Sequence, residues 1–576
     1  MAREGAPLAR RAIPLLPLSA IAVSFTIWAR LFIYRTSFVT LDGRRSFSLF
    51  DDAMISLRYA WNLTHGLGLV WNAGERVEGY TNLLMTLFMS LFTLAFSKPM
   101  AVLMVQIAGL VLLLGNAVVL VLIARELSWR DEIRQHTTLS VLAFLGALAY
   151  YPLAYWSLLG METGLLTLLL SLSILSAFRY GRAGGWLALY GTAALLGLAY
   201  LTRPDSVVPA SLILLYILWE VRRSQAGRLV VLSTIGVLAL YLVFPVAQAL
   251  FRWSYYGELL PNTYLLRLVG VPLAERISNG IGFNKGFFQA ITPLLVIAGI
   301  GVVFNFRKEK LLLTAPIVAL VGYQIGVGGD PWPYWRLLAP AIPLLLVAVS
   351  HEVVLLAGLL VESAPWRDYL LRNPIVPSRH VASMLAALVV LLLLYRLNAP
   401  FMEELVLLQR PFQTDAQRAN VNTAVLINKV TSCDATVGVL WAGAIPYYSG
   451  RMAVDFLGKS DRHIARLPPD LSGAVAWSGM SSVPGHNKYD LTYSIGVRQP
   501  TFVQQFQWGR QDLSDWTRSR YVEVHHGEYR LYLRKGSPAV HWDLLVKDGP
   551  ATYDVRGTAL ANRRRSDCQP RQLSPA

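Results

Sequence analysis

Long apolar stretches recur along this chain, and they restrict its fold more than any other feature. A helix that crosses a membrane needs about 20 mostly apolar residues, and somewhat fewer where one end lies in a cavity. Hydrophobic residues make up 54% of the sequence and charged residues only 15%, which is too apolar for one soluble core. We therefore predict a mostly α-helical, polytopic membrane protein with about 11 transmembrane helices, at residues 14–33, 101–124, 138–157, 163–178, 186–201, 206–220, 229–251, 289–304, 311–327, 337–361 and 380–397.

Basic residues cluster at alternate connections between these stretches. Because Lys and Arg are retained on the cytoplasmic side of a membrane, the clusters mark the inside. They place the N-terminus in the cytoplasm, and they put the loop at residues 34–100 and the C-terminal region on the outer face of a bacterial inner membrane. The inside clusters are Arg3/Arg10/Arg11, Arg125/Arg130/Arg134, Arg179/Arg182, Arg222/Arg223/Arg228, Arg307/Lys308/Lys310 and Arg367/Arg372/Arg379.

Two further segments bear on this orientation. Residues 83–96 are apolar but end at Ser97, Lys98 and Pro99, and the alternation holds only if they do not cross the membrane. We interpret them as an interfacial or re-entrant helix; the alternative is a short spanning hairpin, which would reverse everything downstream. At the N-terminus, basic residues precede an apolar run that lacks a small-residue cleavage site, which indicates a retained signal anchor.

The chain changes character after residue 397. Residues 398–576 are mixed polar, with frequent Gly, Pro and aromatic residues, and they are long enough to form their own core. Apolar β-type runs at 435–441, 521–524 and 529–533 predict an α/β or α+β extracytoplasmic domain that follows a transmembrane domain at 1–397. Cys433 and Cys568 both fall in it, where a disulfide and two free thiols are equally compatible with the sequence.

The formal net charge of +17 does not indicate nucleic-acid binding. Membrane topology and contact with anionic membrane lipids account for most of it, because basic residues concentrate in the inside clusters.

Asp51 and Asp52 form an adjacent pair of carboxylates just after the first apolar stretch. Such a pair beside a bilayer is costly unless it faces water, binds a cation or takes part in chemistry. A solvated loop with helix-capping acids is the alternative, although it explains one Asp more easily than two. If a metal is present, the pair favours a hard cation such as Mg²⁺ or Ca²⁺, with Glu162 as a further ligand.

Other motifs on the predicted outer side follow this pair in order. Together with the Asp pair they resemble the polytopic GT-C glycosyltransferases, and more closely the branch that includes mycobacterial arabinofuranosyltransferases. Each motif alone is weak, but the motifs together, in family order over about 450 residues, are specific. The matching segments are 66–72 (GLGLVWN), 74–82 (GERVEGYTN), 155–163 (YWSLLGMET), 201–205 (LTRPD), 260–264 (LPNTY), 328–336 (GGDPWPYWR), 444–450 (AIPYYSG) and 485–488 (GHNK).

The resemblance implies transfer of a sugar, with a pentofuranose such as arabinofuranose as the candidate, from a polyprenyl-phosphate donor to a hydroxyl of a cell-envelope glycan or glycolipid. A hydroxyl needs a base to take its proton, and Asp51 or Asp52 would be that base. The departing phosphate needs cations, and the candidates are Arg58, Arg203, Arg267 and Arg336. The alternative for each arginine is a side chain that snorkels to the lipid headgroups.

Other polar residues near these motifs are candidate binding groups. Glu162 would bind acceptor hydroxyls or a cation, or would cap a helix. Asp205 and Asp330 each lie close to an arginine in sequence, so they bind substrate or form structural ion pairs. Two sets remain: Glu75, Glu78 and Tyr80, which would shape a sugar pocket or stabilise a turn, and His486 and Lys488, which we do not expect to reach the reacting groups.

Two other classes of function are compatible with many helices. A transporter or flippase of lipid-linked sugars usually carries polar residues near the bilayer midplane, often in two related halves. Here the charged residues gather at helix ends and the sequence shows no internal repeat. A non-catalytic envelope-assembly protein would leave the Asp pair dispensable.

Overall fold

The structure is a computed structural model that describes residues 13–128, 135–363, 378–472, 482–556 and Cys568. Several residues of the predicted inside clusters lie outside the described residues: Arg3, Arg10, Arg11, Arg130, Arg134, Arg367 and Arg372. The helices before the C-terminal domain are α1 Leu15–Thr36, α2 Asp51–Thr64, α3 Leu83–Ala95, α4 Lys98–Ser128, α5 His136–Ala149, α6 Tyr151–Leu158, α7 Thr163–Ala183, α8 Trp186–Thr202, α9 Val207–Ser224, α10 Arg228–Tyr256, α11 Asn262–Leu268, α12 Leu273–Phe304, α13 Lys308–Val327, α14 Ile342–Glu362 and a last helix at Ser378–Asn398.

Within the described residues, nine helices are long and apolar enough to cross a membrane, or ten if the bent pair α5 and α6 is one span. The polytopic helical fold is thus confirmed, and each of the eleven predicted stretches overlaps a helix. The predicted stretch at 186–201 is α8, whose 17 residues are at the short end of the range for a membrane crossing. Helix α3 has only 13 residues, which favours the interfacial or re-entrant interpretation of this segment.

The structure differs from the prediction at one stretch and at one connection. Residues 138–157 form two helices that meet at a 53° bend, because Pro152 has no N–H with which to continue the hydrogen-bond ladder of α5. The connection predicted at 252–288 contains α11 and the first half of α12, whose polar residues obscured the helical pattern. Gly280 makes this half possible, since a Cβ there would lie 2.5 Å from the Ile325 backbone of α13.

The C-terminal domain contains a mixed seven-stranded sheet, which confirms the predicted α/β character. The strand order is β10-β11-β8-β9-β5-β3-β4, and β3 runs parallel to both β4 and β5. A helix at Thr414–Val430 packs Leu426, Ile427 and Val430 against Val437 and Val439 of β3. The described strands are β1 Phe38–Val39, β2 Arg45–Ser46, β3 Thr436–Val439, β4 Met452–Asp455, β5 Phe502–Val503, β6 Gln507–Trp508, β7 Gln511–Asp512, β8 Tyr521–His526, β9 Tyr529–Arg534, β10 Leu545–Lys547 and β11 Thr552–Val555.

The two cysteines are joined. Cys433 and Cys568 form a disulfide that links residues 135 positions apart, so the free-thiol alternative does not apply. One of the cysteine sulfurs, that of Cys568, accepts a hydrogen bond from the buried guanidinium of Arg451. Cys568 is thereby held at the start of β4, next to the contact between this domain and α2.

Candidate functional site

The adjacent carboxylates at the start of α2 face different partners. Phe50 has an extended backbone, so the helix begins at Asp51 and both acids lie in its first turn, where the helix dipole favours negative charge. Successive residues of a helix point about 100° apart. Asp51 is therefore buried against the C-terminal domain, and its two oxygens accept hydrogen bonds from the backbone N–H groups of Gly443 and Ala444, both at 3.1 Å. Asp52 turns away from this contact.

Asp52 lines a cavity of about 200 Å³ between the helices and the C-terminal domain, which we call the central cavity. The walls come from the ends of α7, α8, α11 and α13, from the first connection after α2, and from two segments of the C-terminal domain. Its ionisable side chains are Asp52, Glu162, Arg203, Asp205, Arg267, Asp330, Arg336, Lys459 and His486, together with the phenols of Tyr80, Tyr264 and Tyr323.

Asp52 is held between two cations in this cavity. Lys459 Nζ lies 2.5 Å from Oδ1, and Arg336 Nη1 lies 3.0 Å from Oδ2, which also accepts a hydrogen bond from the Trp332 indole at 3.1 Å. Burial raises the pKa of Asp52, but the positive charges of Lys459 and then Arg336 outweigh burial and hold the pKa well below its ordinary value. The carboxylate is consequently ionised at neutral pH.

A second chain of ion pairs continues from Arg336. Asp330 Oδ1 lies 3.1 Å from Arg336 Nη2 and 3.3 Å from Arg267 Nη2. Gly328 and Gly329 have φ of +91° and +78°, a left-handed backbone that other residues rarely adopt. A Cβ at Gly329 would also lie 2.6 Å from the Phe283 side chain. The two glycines of this motif thus allow the turn that places Asp330 between two arginines.

A third group of charges closes the opposite wall. Arg203 donates to Glu162 Oε1 at 2.5 Å and to Asp205 Oδ2 at 2.8 Å, and Asn82 donates to Glu162 Oε2 at 2.9 Å. Asp205 and Asp330 therefore both form the ion pairs that their neighbouring arginines suggested. Glu162 precedes α7 without a side-chain capping hydrogen bond, so the helix-cap alternative is wrong for this residue.

The charges that line the cavity are balanced. The four cations Arg203, Arg267, Arg336 and Lys459 face the four carboxylates Asp52, Glu162, Asp205 and Asp330. His486 is neutral, since burial and then Lys459 lower its pKa to about 3. An anion that enters can be bound only if it replaces a carboxylate beside a cation. The side chain of Arg267 is 23% exposed, which makes it the most accessible of these four cations.

The carboxylates predicted as metal ligands do not converge. Asp51 accepts two amide N–H groups, Asp52 contacts Lys459 and Arg336, and Glu162 contacts Arg203 and Asn82. Among the described residues no three His, Cys, Asp or Glu side chains are placed to hold a metal ion. The set Asp51, Asp52 and Glu162 does not fit Mg²⁺ or Ca²⁺, and we derive no step through a metal.

The structure brings some of the predicted site residues together and excludes others. In the central cavity are Asp52, Tyr80, Glu162, Arg203, Asp205, Arg267, Asp330 and Arg336. Three other predicted site residues lie outside the central cavity and make structural contacts. Arg58 donates to the carbonyl oxygens of Trp71 and Arg451, Glu78 forms a buried ion pair with Arg252, and Glu75 lies 3.4 Å from Arg498 near the surface. Together with Asp51, these three residues hold α2 and the connection that follows it against neighbouring parts of the protein.

Lys459, Trp332 and His486 carry functional contacts that the sequence did not assign. Lys459 sits in a turn after β4, where Asp455 accepts from the N–H groups of Leu457 and Ser460 at 3.0 and 2.7 Å. Asn262 donates its side-chain amide to the carbonyl oxygens of Gly458 and Lys459 at 2.7 and 3.1 Å. The motif at 260–264 was therefore a usable signal, because its Asn262 holds the turn that presents Lys459 to Asp52.

His486 lies in the central cavity, although neither it nor Lys488 was expected to reach the reacting groups. Its ring lies 5.6 Å from that of Trp332 and lines the central cavity, although it belongs to the C-terminal domain. Lys488 points elsewhere and donates to the backbone oxygens of Leu265 and Ala465.

Asp51 should matter for stability. Replacing Asp51 by alanine leaves the buried N–H groups of Gly443 and Ala444 without their acceptor, which costs roughly 1–3 kcal/mol. We expect a lower Tm for the D51A protein in thermal unfolding. Asp515→Ala is the control, because that carboxylate is 95% exposed and should leave Tm unchanged. Equal melting of D51A and wild type would show that the contact does not stabilise the junction.

Comparison with known sequences covers parts of the chain. Residues 410–540 match a family described as "Domain of unknown function (DUF8728)". A curated relative from Mycobacterium tuberculosis, named terminal beta-(1->2)-arabinofuranosyltransferase, is 27% identical over 280 residues, 47% of this chain and 43% of the relative. One of the same name from Corynebacterium glutamicum is 26% identical over 350 residues, 51% of this chain and 47% of the relative. The chain thus spans less than half the length of these two relatives.

Two solved structures have a similar fold. ArnT from Cupriavidus metallidurans, crystallised with undecaprenyl phosphate, superposes with a TM-score of 0.52 at 13% identity and covers 91% of this chain and 98% of its own. The oligosaccharyltransferase of Archaeoglobus fulgidus, tethered to an acceptor peptide, gives a TM-score of 0.50 at 10% identity over 92% of this chain and 74% of its own. At such low identity these similarities concern the fold. With the two curated relatives, they confirm the resemblance to GT-C proteins that the motifs indicated.

Proposed function

We propose that this chain is a membrane glycosyltransferase that moves a sugar from a polyprenyl-phosphate donor to an acceptor hydroxyl. The observation that carries the proposal is the ionised Asp52, held by Lys459 and Arg336 in a cavity where the helices meet the C-terminal domain. A base and cations for a phosphate leaving group lie within hydrogen-bonding distance of each other there. Glycosyl transfer from a lipid phosphate needs both.

Asp52 acts as the general base in this reaction. It takes the proton of the acceptor hydroxyl as the new oxygen–carbon bond forms at the sugar, while the bond from that carbon to the phosphate oxygen breaks. The phosphate leaves with the bonding electron pair, and Lys459, Arg336 and Arg267 stabilise its negative charge. No protonated acid is required for departure.

The low pKa of Asp52 couples donor binding to base strength. While Lys459 and Arg336 both face Asp52, the carboxylate is a weak base. A donor phosphate competes with Asp52 for the same two cations, since the charges around the cavity are balanced. As the cations turn to the phosphate, the pKa of Asp52 rises and the carboxylate becomes able to take a proton. Asp52 thus gains strength as a base only when a donor is bound.

Similarity supports the choice of substrates. Both curated relatives carry the name terminal beta-(1->2)-arabinofuranosyltransferase, and the superposed ArnT structure contains undecaprenyl phosphate. We assign arabinofuranose as the donor sugar, a polyprenyl phosphate as its carrier and a cell-envelope glycan or glycolipid as the acceptor. Membrane lipids surround the helices.

Basic residues support an outward-facing cavity. Helix α7 begins beside Glu162 and has Arg182 in its last turn, and α9 begins just after Asp205 and ends with Arg222 and Arg223. These basic residues lie at the helix ends away from the cavity. Since basic ends face the cytoplasm, the cavity opens on the outer face of the inner membrane and the N-terminus is cytoplasmic.

The test is transfer of radiolabelled arabinose from a polyprenyl-phosphate carrier to an arabinofuranose oligosaccharide by the purified protein in lipid nanodiscs. We expect labelled product with wild type and a large loss in the variants described below. Movement of the labelled lipid across vesicle membranes without any product would instead assign the protein to the flippases.

Asn262 should affect transfer through Lys459. Asn262→Ala frees the turn at residues 458–461, so that Lys459 no longer stays beside Asp52. We expect kcat to fall about 10-fold, since small displacements in a reaction site are costly, and the acidic limb of the pH profile of kcat/KM, which reports the donor-free protein, to move to higher pH. Asn422→Ala is the matched control, because Asn422 also joins the C-terminal domain to an earlier part of the chain, by accepting from the Leu41 N–H, but lies outside the central cavity. A fall in kcat without a shift of the acidic limb would mean that Asn262 only stabilises the fold.

A further inference from the structure

A second cleft lies behind the turn that carries Lys459. It has a volume of about 380 Å³ and opens between the connection after α2 and the C-terminal domain. The residues relevant here are Glu75, Ser460, Asp461, His463, Tyr493 and Arg498. None of them lines the central cavity. We call this space the second cleft.

Only one turn of backbone separates the second cleft from the central cavity. Lys459 lines the cavity, and the next residue, Ser460, lines the cleft. Gly79 lies against the same turn from the cavity side, where a Cβ would meet the Lys459 carbonyl at 2.9 Å. Consecutive Cα atoms are about 3.8 Å apart. The turn at Lys459 and Ser460 is therefore a wall that the two spaces share, so a chain molecule bound in the second cleft contacts the turn that presents Lys459 to Asp52.

The groups in the cleft are those that bind sugars. The Tyr493 and His463 rings lie 4.3 Å apart with a tilt of 38°, and His463 is 49% exposed, which leaves an amphipathic aromatic surface for the C–H face of a sugar. Glu75 and Arg498 face each other at 3.4 Å, with 38% and 40% of their side chains exposed. A carboxylate and a guanidinium each offer two parallel hydrogen-bonding groups, which match neighbouring hydroxyls.

The charge of the cleft favours a neutral ligand. Three arginines, Arg76, Arg462 and Arg498, are matched by Glu75, Asp455 and Asp461. Two of the arginines are also engaged, because Arg76 stacks on Tyr255 and Arg462 donates to the Arg76 carbonyl oxygen at 2.6 Å. A phosphate or an anionic headgroup would find no excess of positive charge here, whereas a polyhydroxyl ligand needs none.

We propose that the second cleft binds the non-reacting sugar residues of a neutral oligosaccharide acceptor, an inference that rests on the proposed function. Glu75, for which the sequence left a sugar pocket and a turn-stabilising role open, then contacts the acceptor chain and not the donor. The cleft gives the protein a preference for long acceptors over short ones, because each further sugar in the cleft adds contacts. It also positions the acceptor against the turn that presents Lys459.

The test measures binding and transfer separately. Isothermal titration calorimetry with a linear arabinofuranose hexasaccharide and with free arabinose is performed on the full chain in nanodiscs. We expect wild type to bind the hexasaccharide more tightly than arabinose, and Tyr493→Ala and Arg498→Ala to weaken hexasaccharide binding about 10-fold, as for the loss of one aromatic or charged anchor. Tyr493→Trp should restore binding, since it retains an aromatic surface.

A matched control variant and two possible outcomes test whether the second cleft binds the glycan. Arg418→Ala removes an arginine of similar exposure, 38% against 40% for Arg498, which lies 3.7 Å from Glu528 outside the second cleft, and this variant should bind the hexasaccharide like wild type. Equal affinity in wild type, Y493A and R498A, or no binding by wild type, overturns the second cleft as a glycan site while leaving transfer to be judged by its own assay. Weakened binding in the variants of a protein that shows no transfer would retain the cleft and reject the proposed reaction.

Discussion

Asp52→Asn should lower kcat for sugar transfer by about 10³-fold, which is the typical contribution of a positioned general base. Asparagine has nearly the same shape and can still accept from the Trp332 indole, but it cannot take a proton from a hydroxyl. The measurement is single-turnover transfer of labelled sugar in nanodiscs, so that slow product release does not mask the chemical step. Affinity for the donor should fall little or rise, because Lys459 and Arg336 lose their carboxylate competitor.

The neighbouring carboxylate provides the control for this experiment. Asp51→Asn changes the same functional group one residue earlier, but at a side chain that faces backbone N–H groups and lines no part of the cavity. Its loss of transfer should track its loss of folded protein. If D51N loses transfer while folded and D52N does not, the two roles are reversed. If both transfer like wild type, neither carboxylate is the base.

Lys459→Met should lower kcat by about 10²-fold, the usual effect of removing one group that stabilises developing negative charge. The same substitution should move the acidic limb of the pH–rate profile to higher pH. Lys459 is the largest of the charges that lower the pKa of Asp52, so without it the pKa rises, and a base is active only above its pKa. The measurement is kcat/KM as a function of pH, which reports the pKa of Asp52 before the donor draws Lys459 away, with protein unfolding followed over the same range.

Two further variants are controls for Lys459→Met, one for the positive charge and one for the loss of a lysine elsewhere. Lys459→Arg retains the positive charge and should keep the acidic limb near its wild-type position even where the rate falls. Lys535→Met removes a lysine that donates only to backbone oxygens of Arg518 and Ser519 at the surface, and it should behave as wild type. A K459M protein with an unshifted acidic limb would show that Asp52 is not the group that titrates in the reaction.

Features of the fold that depend only on residues close together in the sequence were predictable. A run of about 20 apolar residues forms a membrane helix whatever surrounds it, and alternating β-branched and aromatic residues indicated the strands at β8 and β9. The break at Tyr150 and the early start of α12 were missed. The break follows from Pro152, a local signal that the continuous apolar run outweighed, whereas the start of α12 depends on how one helix lies against another, as at Gly280, where α12 and α13 approach backbone to backbone.

The site was predictable only in part. The sequence indicated eight of the residues that line the central cavity, because the ends of successive helices carry them on one side of the membrane. Lys459 could not be assigned this way, and His486, although it belongs to the motif at 485–488, was not expected to reach the site. They come from turns of the C-terminal domain about 400 residues after Asp52, and no local pattern relates a turn lysine to a distant carboxylate.

By itself, the sequence determined a polytopic helical protein with a sheet-containing C-terminal domain, and it located a pair of carboxylates near several arginines. Hydrophobicity and the order of motifs carry that information, since both are properties of short segments. Only the tertiary structure decided that Asp51 binds the C-terminal domain while Asp52 faces Lys459 and Arg336. The reason is that a helical turn of about 100° between adjacent residues points them at different partners, and folding alone brings those partners within reach.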